Sequence, residues 1–313
     1  MAGPPPAVKA LLSQFGSKKE EDRMVGYINF LKVGPKLLQY VPGNKAKDLK
    51  NWLTVYSYWN QGSIKNIVSM LYQISDTFQL STVKDTVIDD VIDNPNLGMY
   101  HPRLDKFMDS PKEYVEWYKK TNSWVNEDTP RVGILLYRKH VLSDQQYLGN
   151  LIKLMESESI LPIPVYINGV EAHTVVRDLF TSDSEQNSRI KYDWSLSEKA
   201  TKVDFIINTI GFPLVGGPAG SMEGGRKIEL SSEILQAKNV PYVVAAPLII
   251  QDTMSWEKNG VQGLQQVVLY SLPELDGAIE TQVLGGLVGG DQIIVIPERS
   301  SSSLLLLLLL SLL

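Results

Sequence analysis

Three histidines, one glycine-rich stretch and a handful of charged neighbours are the parts of this sequence whose spacing bears on chemistry. Gly220-x-x-x-x-Gly225 is followed by Arg226 and Lys227, whereas a phosphate-cradling P-loop places Lys and then Ser or Thr after its last glycine. Nucleotide binding by this loop is not expected, and no G-x-G-x-x-G occurs to suggest a dinucleotide. Two readings stay open for Gly216, Gly217 and Gly220. They let a neighbour pack close to the main chain, or, with Ser221 ahead of a helix, they present a helix N-terminus to an anion or other ligand. Glu171, His173 and Asp178 lie close in sequence and invite a metal or proton-relay reading. Mg²⁺ takes oxygen ligands and keeps several waters, so a histidine-containing pair is not its usual cage. The competing reading is a turn at Asn168-Gly169 with Glu171 near a helix start. His140 closes the run Arg138-Lys139-His140, where it is either ligand-facing or solvated, and His101 reads as a loop residue. Trp52, Tyr56 and Trp59 recur at helical spacing, which favours helix packing over a flat platform for a planar ligand. No G-x-S-x-G elbow and no Ser-His-Asp set can be assembled, so no catalytic residue and no resident metal site is assigned.

The elements that must position these residues change character near residue 130. Residues 1–21 are read as a disordered segment and 22–129 as a helical region. There, Tyr27, Phe30, Leu31, Leu37, Leu38 and Val41 follow three-and-four spacing up to the Pro42-Gly43 stop. A second helix is expected over 46–59. A third, over 63–78, places Ile64, Ile67, Val68, Leu71 and Ile74 on one side. The segment 94–109 is rich in turn residues, and a short helix follows with Ser110 as N-cap and Pro111 at its first position. Beyond it, apolar runs of strand length (131–137, 161–167, 203–210, 242–246, 266–270 and 293–296) alternate with helices over 144–157 and 223–238. Continuous apolar strands between helices are the pattern of parallel strands buried on both faces. The fold class is therefore α/β: a helical region followed by a doubly wound, mostly parallel α/β domain over 130–299. In such sheets ligands collect at the carboxyl ends of the strands. The loops after the first three strands carry Arg138 and His140, then Glu171 and His173, then Gly216, Gly217 and Ser221, and these seven residues are the candidate substrate-binding set.

With 313 residues and 43% hydrophobic content, the chain can bury at least one sizeable core. Its net charge of −5 is dispersed along the chain, which argues against nucleic acid as a partner. The absence of cysteine excludes disulfides and thiolate chemistry. Near the start, Glu20, Glu21 and Asp22 do not suit a transit peptide, and no secretory signal is legible. At the other end, residues 300–313 consist only of Ser and Leu, a low-complexity tail. Its leucine run is shorter than the roughly 20 residues that span a bilayer, so an integral span is not expected. The alternative to an anchor is a translated repeat or frame change.

Several strings, read together and in order, carry more than any single motif. Leu53-Thr54-Val55-Tyr56-Ser57-Tyr58-Trp59-Asn60-Gln61-Gly62, Val132-Gly133-Ile134-Leu135-Leu136-Tyr137-Arg138 and Phe212-Pro213-Leu214-Val215-Gly216-Gly217-Pro218-Ala219-Gly220 resemble the large H subunit of magnesium chelatase. So do Val240-Pro241-Tyr242-Val243-Val244-Ala245-Ala246-Pro247-Leu248 and Leu272-Pro273-Glu274-Leu275-Asp276-Gly277-Ala278, and the resemblance runs over residues 22–299. The cobaltochelatase large subunit is a more distant relative. The resemblance implies a porphyrin-binding subunit of the enzyme that inserts Mg²⁺ into protoporphyrin IX in chlorophyll biosynthesis. ATP would be bound by a AAA+ ATPase subunit, which acts with a companion subunit, and not by this chain. It implies chloroplast stroma, or cytoplasm in a bacterium. The family's chain is several times longer, so this polypeptide is expected to be inactive by itself. The alternative is a non-catalytic module that docks the partner subunits without touching substrate.

Overall fold

In the computed structural model, α1 (Asn44–Gln61) stops at Gly62, whose φ of +65° lies in the left-handed region where glycine meets no penalty. Ser63 then caps α2 (Ile64–Thr77), its side chain accepting from Asn66 N. The structure describes residues 44–78, 88–167, 172–188, 197–214, 228–277, 281–288 and 292–295. The helix expected over 22–41, Glu171, Gly216, Gly217, Ser221 and the tail 300–313 lie outside the described residues. The chain divides into two units, 1–94 and 95–313. The division falls well before residue 130, because the stretch 95–129 contributes a strand and a helix to the second unit.

In the first unit the inward face of α2 is not the predicted apolar one. Asn66, Ser69 and Met70 are buried, whereas Ile64 is 62% and Leu71 59% exposed. Hydrogen bonding accounts for the rotation. The buried Asn66 amide donates from Nδ2 to Ile92 O and accepts at Oδ1 from Ile92 N, both at 2.9 Å. Gln61 Oε1 accepts from Asn94 N at 2.7 Å, and Tyr58 Oη donates to Asp89 O at 2.6 Å. These side chains strap the extended segment 88–94 onto both helices, and turning Asn66 outward would orphan the Ile92 main chain. The aromatic expectation for α1 also changes. Leu53 and Tyr58 are buried, Trp52 and Tyr56 stack on each other at 5.2 Å, and Trp59 is half exposed.

The second unit opens with β1 (Leu97–Met99), inside a stretch whose turn residues predict only loop. Next come α3 (Pro111–Thr121), capped by Ser110 as its sequence predicts, and β2 (Arg131–Tyr137). α4 (Arg138–Leu142), α5 (Gln146–Ser157) and β3 (Leu161–Ile167) follow. Then α6 (Ala172–Asp178), β4 (Phe180–Thr181), α7 (Asp183–Ser188), β5 (Thr201–Lys202) and β6 (Phe205–Asn208) precede α8 (Ile228–Lys238) and β7 (Tyr242–Asp252). After α9 (Thr253–Asn259) and α10 (Gly263–Gln266), β8 (Gln282–Val288) and β9 (Gln292–Val295) complete the described elements. Among these, seven strands form one sheet in the order β1-β3-β2-β6-β7-β8-β9, and β4 pairs with β5 apart from it. The central pairings β3-β2, β2-β6, β6-β7 and β7-β8 are parallel, and the flanking ones, β1-β3 and β8-β9, are antiparallel. This is the mostly parallel α/β fold that the apolar runs predict.

Burial on both faces explains those runs. From β2, Val132, Ile134 and Leu136 face a core shared with Tyr147, Leu148 and Leu151 of α5. Leu135 faces the opposite core with Tyr114, Val175 and Ile234 from α3, α6 and α8. Gly133 also lies on β2, and a Cβ there would come within 2.7 Å of the Phe180 ring, so close strand-to-ring packing requires glycine. The strand expected over 266–270 is instead a π-helical turn, Val267–Ser271, continuing α10. Gln265 and Leu269, four residues apart, are the buried pair, and Gln265 Oε1 accepts from both Ile249 N and Ile250 N at 2.9 Å. β8 takes the place in the sheet that this run would have filled. No element is expected from the sequence over its residues, and Gly286 lets Leu248 and Thr253 pack directly on the strand.

Candidate functional site

The carboxyl ends of β2, β3 and β6 meet the residues that follow them in one connected patch. At the end of β2, the Tyr137 ring stands edge-on to His140 (5.3 Å between centroids) and to Phe212 (6.1 Å), which follows β6. Leu214, two residues on, accepts at its carbonyl from His173 N (3.1 Å) and lies 3.3 Å from His173 Nδ1. His173 sits in the first turn of α6, just past the loop that follows β3. The flanks of all three predicted loops therefore share one rim of the sheet.

Local sequence explains how the rim is built. Asn208, wholly buried at the end of β6, accepts at Oδ1 from Ile210 N and donates from Nδ2 to Phe212 O and Tyr242 Oη. Gly211, at φ +76°, turns the chain so that Phe212 comes back over the strand ends. One buried amide thus folds the loop onto β6 and ties it to β7.

The candidate residues take different positions in this frame. Arg138 is 3% exposed and turned into the unit, Nε donating to Pro95 O at 2.8 Å. Arg138 is one of the candidate substrate-binding residues, but here its guanidinium serves the main chain. His140, for which solvation was one of two readings, is instead half-buried. Its Nδ1 lies 2.8 Å from the hydroxyl of Tyr147, which is fully buried in α5, and the two rings meet edge-on. Burial holds the His140 imidazole well below its usual range, at about 4, so the ring is neutral near pH 7. Burial also raises the Tyr147 phenol, which stays protonated. His101 stands apart from this rim, buried among Tyr114, Trp117 and Tyr118 with Nε2 3.3 Å from Glu156 Oε1.

Tyr137, Tyr147, Thr209 and Phe212 are members of the rim that spacing does not single out. The available signal is Asn208-Thr209, two polar residues closing an apolar strand where a ligand-side end is expected. Chemically, the described rim offers aromatic edges, the neutral imidazole of His140, the ring of His173 and main-chain carbonyls. Among the described residues no three of His, Cys, Asp or Glu gather to hold a metal ion.

Comparison with known proteins decides the family. Residues 56–304 match the model of the CobN/Magnesium Chelatase family. The chain belongs to that family. Residues 1–53 match a separate domain of unknown function, DUF3479. Over 92% of its length the chain is 38% identical to the magnesium-chelatase H subunit of Chlorobaculum parvum, of which it covers 21%. Over 80% of its length it is 29% identical to the chloroplastic magnesium-chelatase ChlH subunit of Oryza sativa subsp. indica, of which it covers 17%. This CobN/magnesium chelatase chain thus spans about a fifth of the length of the relatives it matches. The catalytic subunit of cobaltochelatase from Mycobacterium tuberculosis is similar at 17% identity and a TM-score of 0.41, with 80% of this chain and 18% of that chain covered. No helix among the described residues is long and apolar enough to cross a membrane.

Proposed function

We propose that this chain is the part of a magnesium chelatase H subunit whose α/β rim faces the porphyrin. The observation that carries the reading is the meeting of Tyr137, His140, Phe212 and His173 on one rim of a sheet that lies within the family match. The substrates are protoporphyrin IX and Mg²⁺, and insertion is driven by ATP held on a AAA+ ATPase partner that acts with a companion subunit. Aromatic edges and a neutral imidazole suit a flat, apolar macrocycle better than a hydrated ion or a polyphosphate. Glu171, Gly216, Gly217 and Ser221, which follow β3 and β6 in the sequence, complete the proposed contact set, while Arg138 is turned inward and donates to Pro95 O. The compartment is the chloroplast stroma, or the cytoplasm of a bacterium, in keeping with the plant and bacterial relatives.

Metal-free deuteroporphyrin, a soluble analogue, tests the reading by titration against the full chain with tryptophan fluorescence as the readout. Saturable quenching that weakens on Phe212→Ala is the expected result. Absence of quenching, together with co-purification of the chain with the purified ATPase subunits, would instead mark it as a docking module that never touches substrate.

A further inference from the structure

Two neighbouring rings on the rim, His140 and Tyr137, each carry a proton that no described residue accepts. Tyr147, fully buried, reaches His140 Nδ1 from its hydroxyl at 2.8 Å. A buried hydroxyl without an acceptor is costly, so Tyr147 donates and Nδ1 accepts. Burial keeps the His140 imidazole neutral, and a neutral imidazole holds one proton, which this bond places on Nε2. Among the described residues, the buried polar side-chain atoms without a partner are Tyr114 Oη, Thr181 Oγ1 and Gln265 Nε2. His140 Nε2 and Tyr137 Oη are not among them and bond to no described residue, so both open onto the surface of the rim. Their rings meet edge-on with centroids 5.3 Å apart. Burial raises the Tyr137 phenol, which therefore keeps its proton near pH 7.

We propose that His140 Nε2–H and the Tyr137 hydroxyl together clip one carboxylate of a ligand seated on this rim, and that Tyr147 is the positioning residue that keeps the imidazole proton on the outward nitrogen. The inference rests on the porphyrin-facing reading above, on which the carboxylate is one of the two propionates at the edge of protoporphyrin IX. An ionised carboxylate only accepts, and its two oxygens match two donors side by side. Hydrogen bonds to an ionised acceptor are roughly twice as strong as those between neutral groups. Local charge favours the same ligand, because Arg138 and the exposed Lys139 lead into His140 and the next acidic residue in the chain is Asp144. No proton changes hands on binding. The Phe212 ring, edge-on to Tyr137 at 6.1 Å, provides apolar surface beside the clip for the body of the macrocycle. Holding one propionate fixes which edge of the ring faces the end of β2.

Deuteroporphyrin and its uncharged dimethyl ester, titrated separately into the full chain in the same dilute detergent with tryptophan fluorescence as the readout, test this. The diacid is expected to bind about tenfold tighter than the ester, as a hydrogen bond to a charged group allows. His140→Ala should erase that preference while leaving ester binding in place, and His140→Gln, whose amide also offers an N–H, should restore part of it. Tyr137→Phe keeps the ring and should reduce the preference several-fold. ¹⁵N NMR of the histidine rings in the unaltered chain supplies a readout that needs no variant to fold. Without porphyrin, His140 Nε2 should carry the proton, and the diacid but not the ester should move its resonance. A preference that survives His140→Ala, or a proton found on Nδ1, overturns the inference. Equal binding of diacid and ester sinks the inference alone, whereas failure of both porphyrins to bind sinks the porphyrin-facing reading and the inference with it.

Discussion

Lys238 and His140 are both basic groups drawn inward at the ends of elements in the α/β unit, and they are treated in opposite ways. Lys238, at the last turn of α8, is wholly buried. Its ammonium reaches both carboxylate oxygens of the buried Glu185, at 2.8 and 2.6 Å, and the carbonyls of Phe180 (2.7 Å) and Arg177 (3.2 Å). A charge taken from water is tolerated only when its donors are met in this way. The centre ties α6, β4 and α7 to α8 and presents nothing outward. His140 is instead kept neutral, satisfied at one nitrogen and open at the other. The contrast separates a closed polar centre, which holds the fold, from an open one, which is available for chemistry.

The largest expected effect breaks the closed centre. Lys238→Ala leaves Glu185 buried and unpaired and should cost about 3–5 kcal/mol in urea unfolding, the range for breaking such pairs. Replacing both partners, Lys238→Met with Glu185→Leu, should recover much of that loss, and a double variant no more stable than the single would show that the carbonyl contacts dominate. Acid sharpens the contrast next. The folded chain holds His140 near 4 while the unfolded chain protonates near the ordinary 6.5, so unfolded protein takes up the proton first. The stability at stake, on the order of 3 kcal/mol, is intact above pH 6.5 and lost as pH falls towards 4. His101, whose imidazole burial also lowers, loses stability in the same direction. Comparing wild type with His140→Gln over that window isolates the His140 share.

A smaller effect is expected from Gly133→Ala, whose methyl would press on the Phe180 ring at the strand joining both centres to one sheet, and thermal unfolding should show a loss of about 1–3 kcal/mol. Tyr147→Phe should be the mildest, about 1 kcal/mol for one buried hydrogen bond. Its stability cost should thus fall well below that of Lys238→Ala although Tyr147 is equally buried. A loss as large as that of Lys238→Ala would mean that the His140 centre is structural after all.

The strands of the sheet's centre were legible because parallel strands covered on both faces must be apolar at every position, and Arg131–Tyr137 and Leu161–Ile167 match their apolar runs residue for residue. The Ser110-Pro111 helix start was legible because capping is local chemistry. Illegible were elements whose identity depends on distant partners. α2 turns Asn66 inward because Ile92 needs its amide. Val267–Ser271 is helical because Gln265 must reach the β7 main chain, and the glycine-rich β8 is a strand because Leu248 and Thr253 lie against it.

The candidate site divides along the same line. Composition and order of the chain by themselves determined the α/β class, the family and which strand ends would bear the loops, since apolar runs and strings of residues are properties of the chain alone. Only the tertiary structure decided that Arg138 turns inward, that His140 meets Tyr147 and that Phe212 returns over the strand ends. Each of those outcomes depends on a partner several to many residues away, and a hydrogen bond or ring contact exists only once the sheet has brought its two ends together.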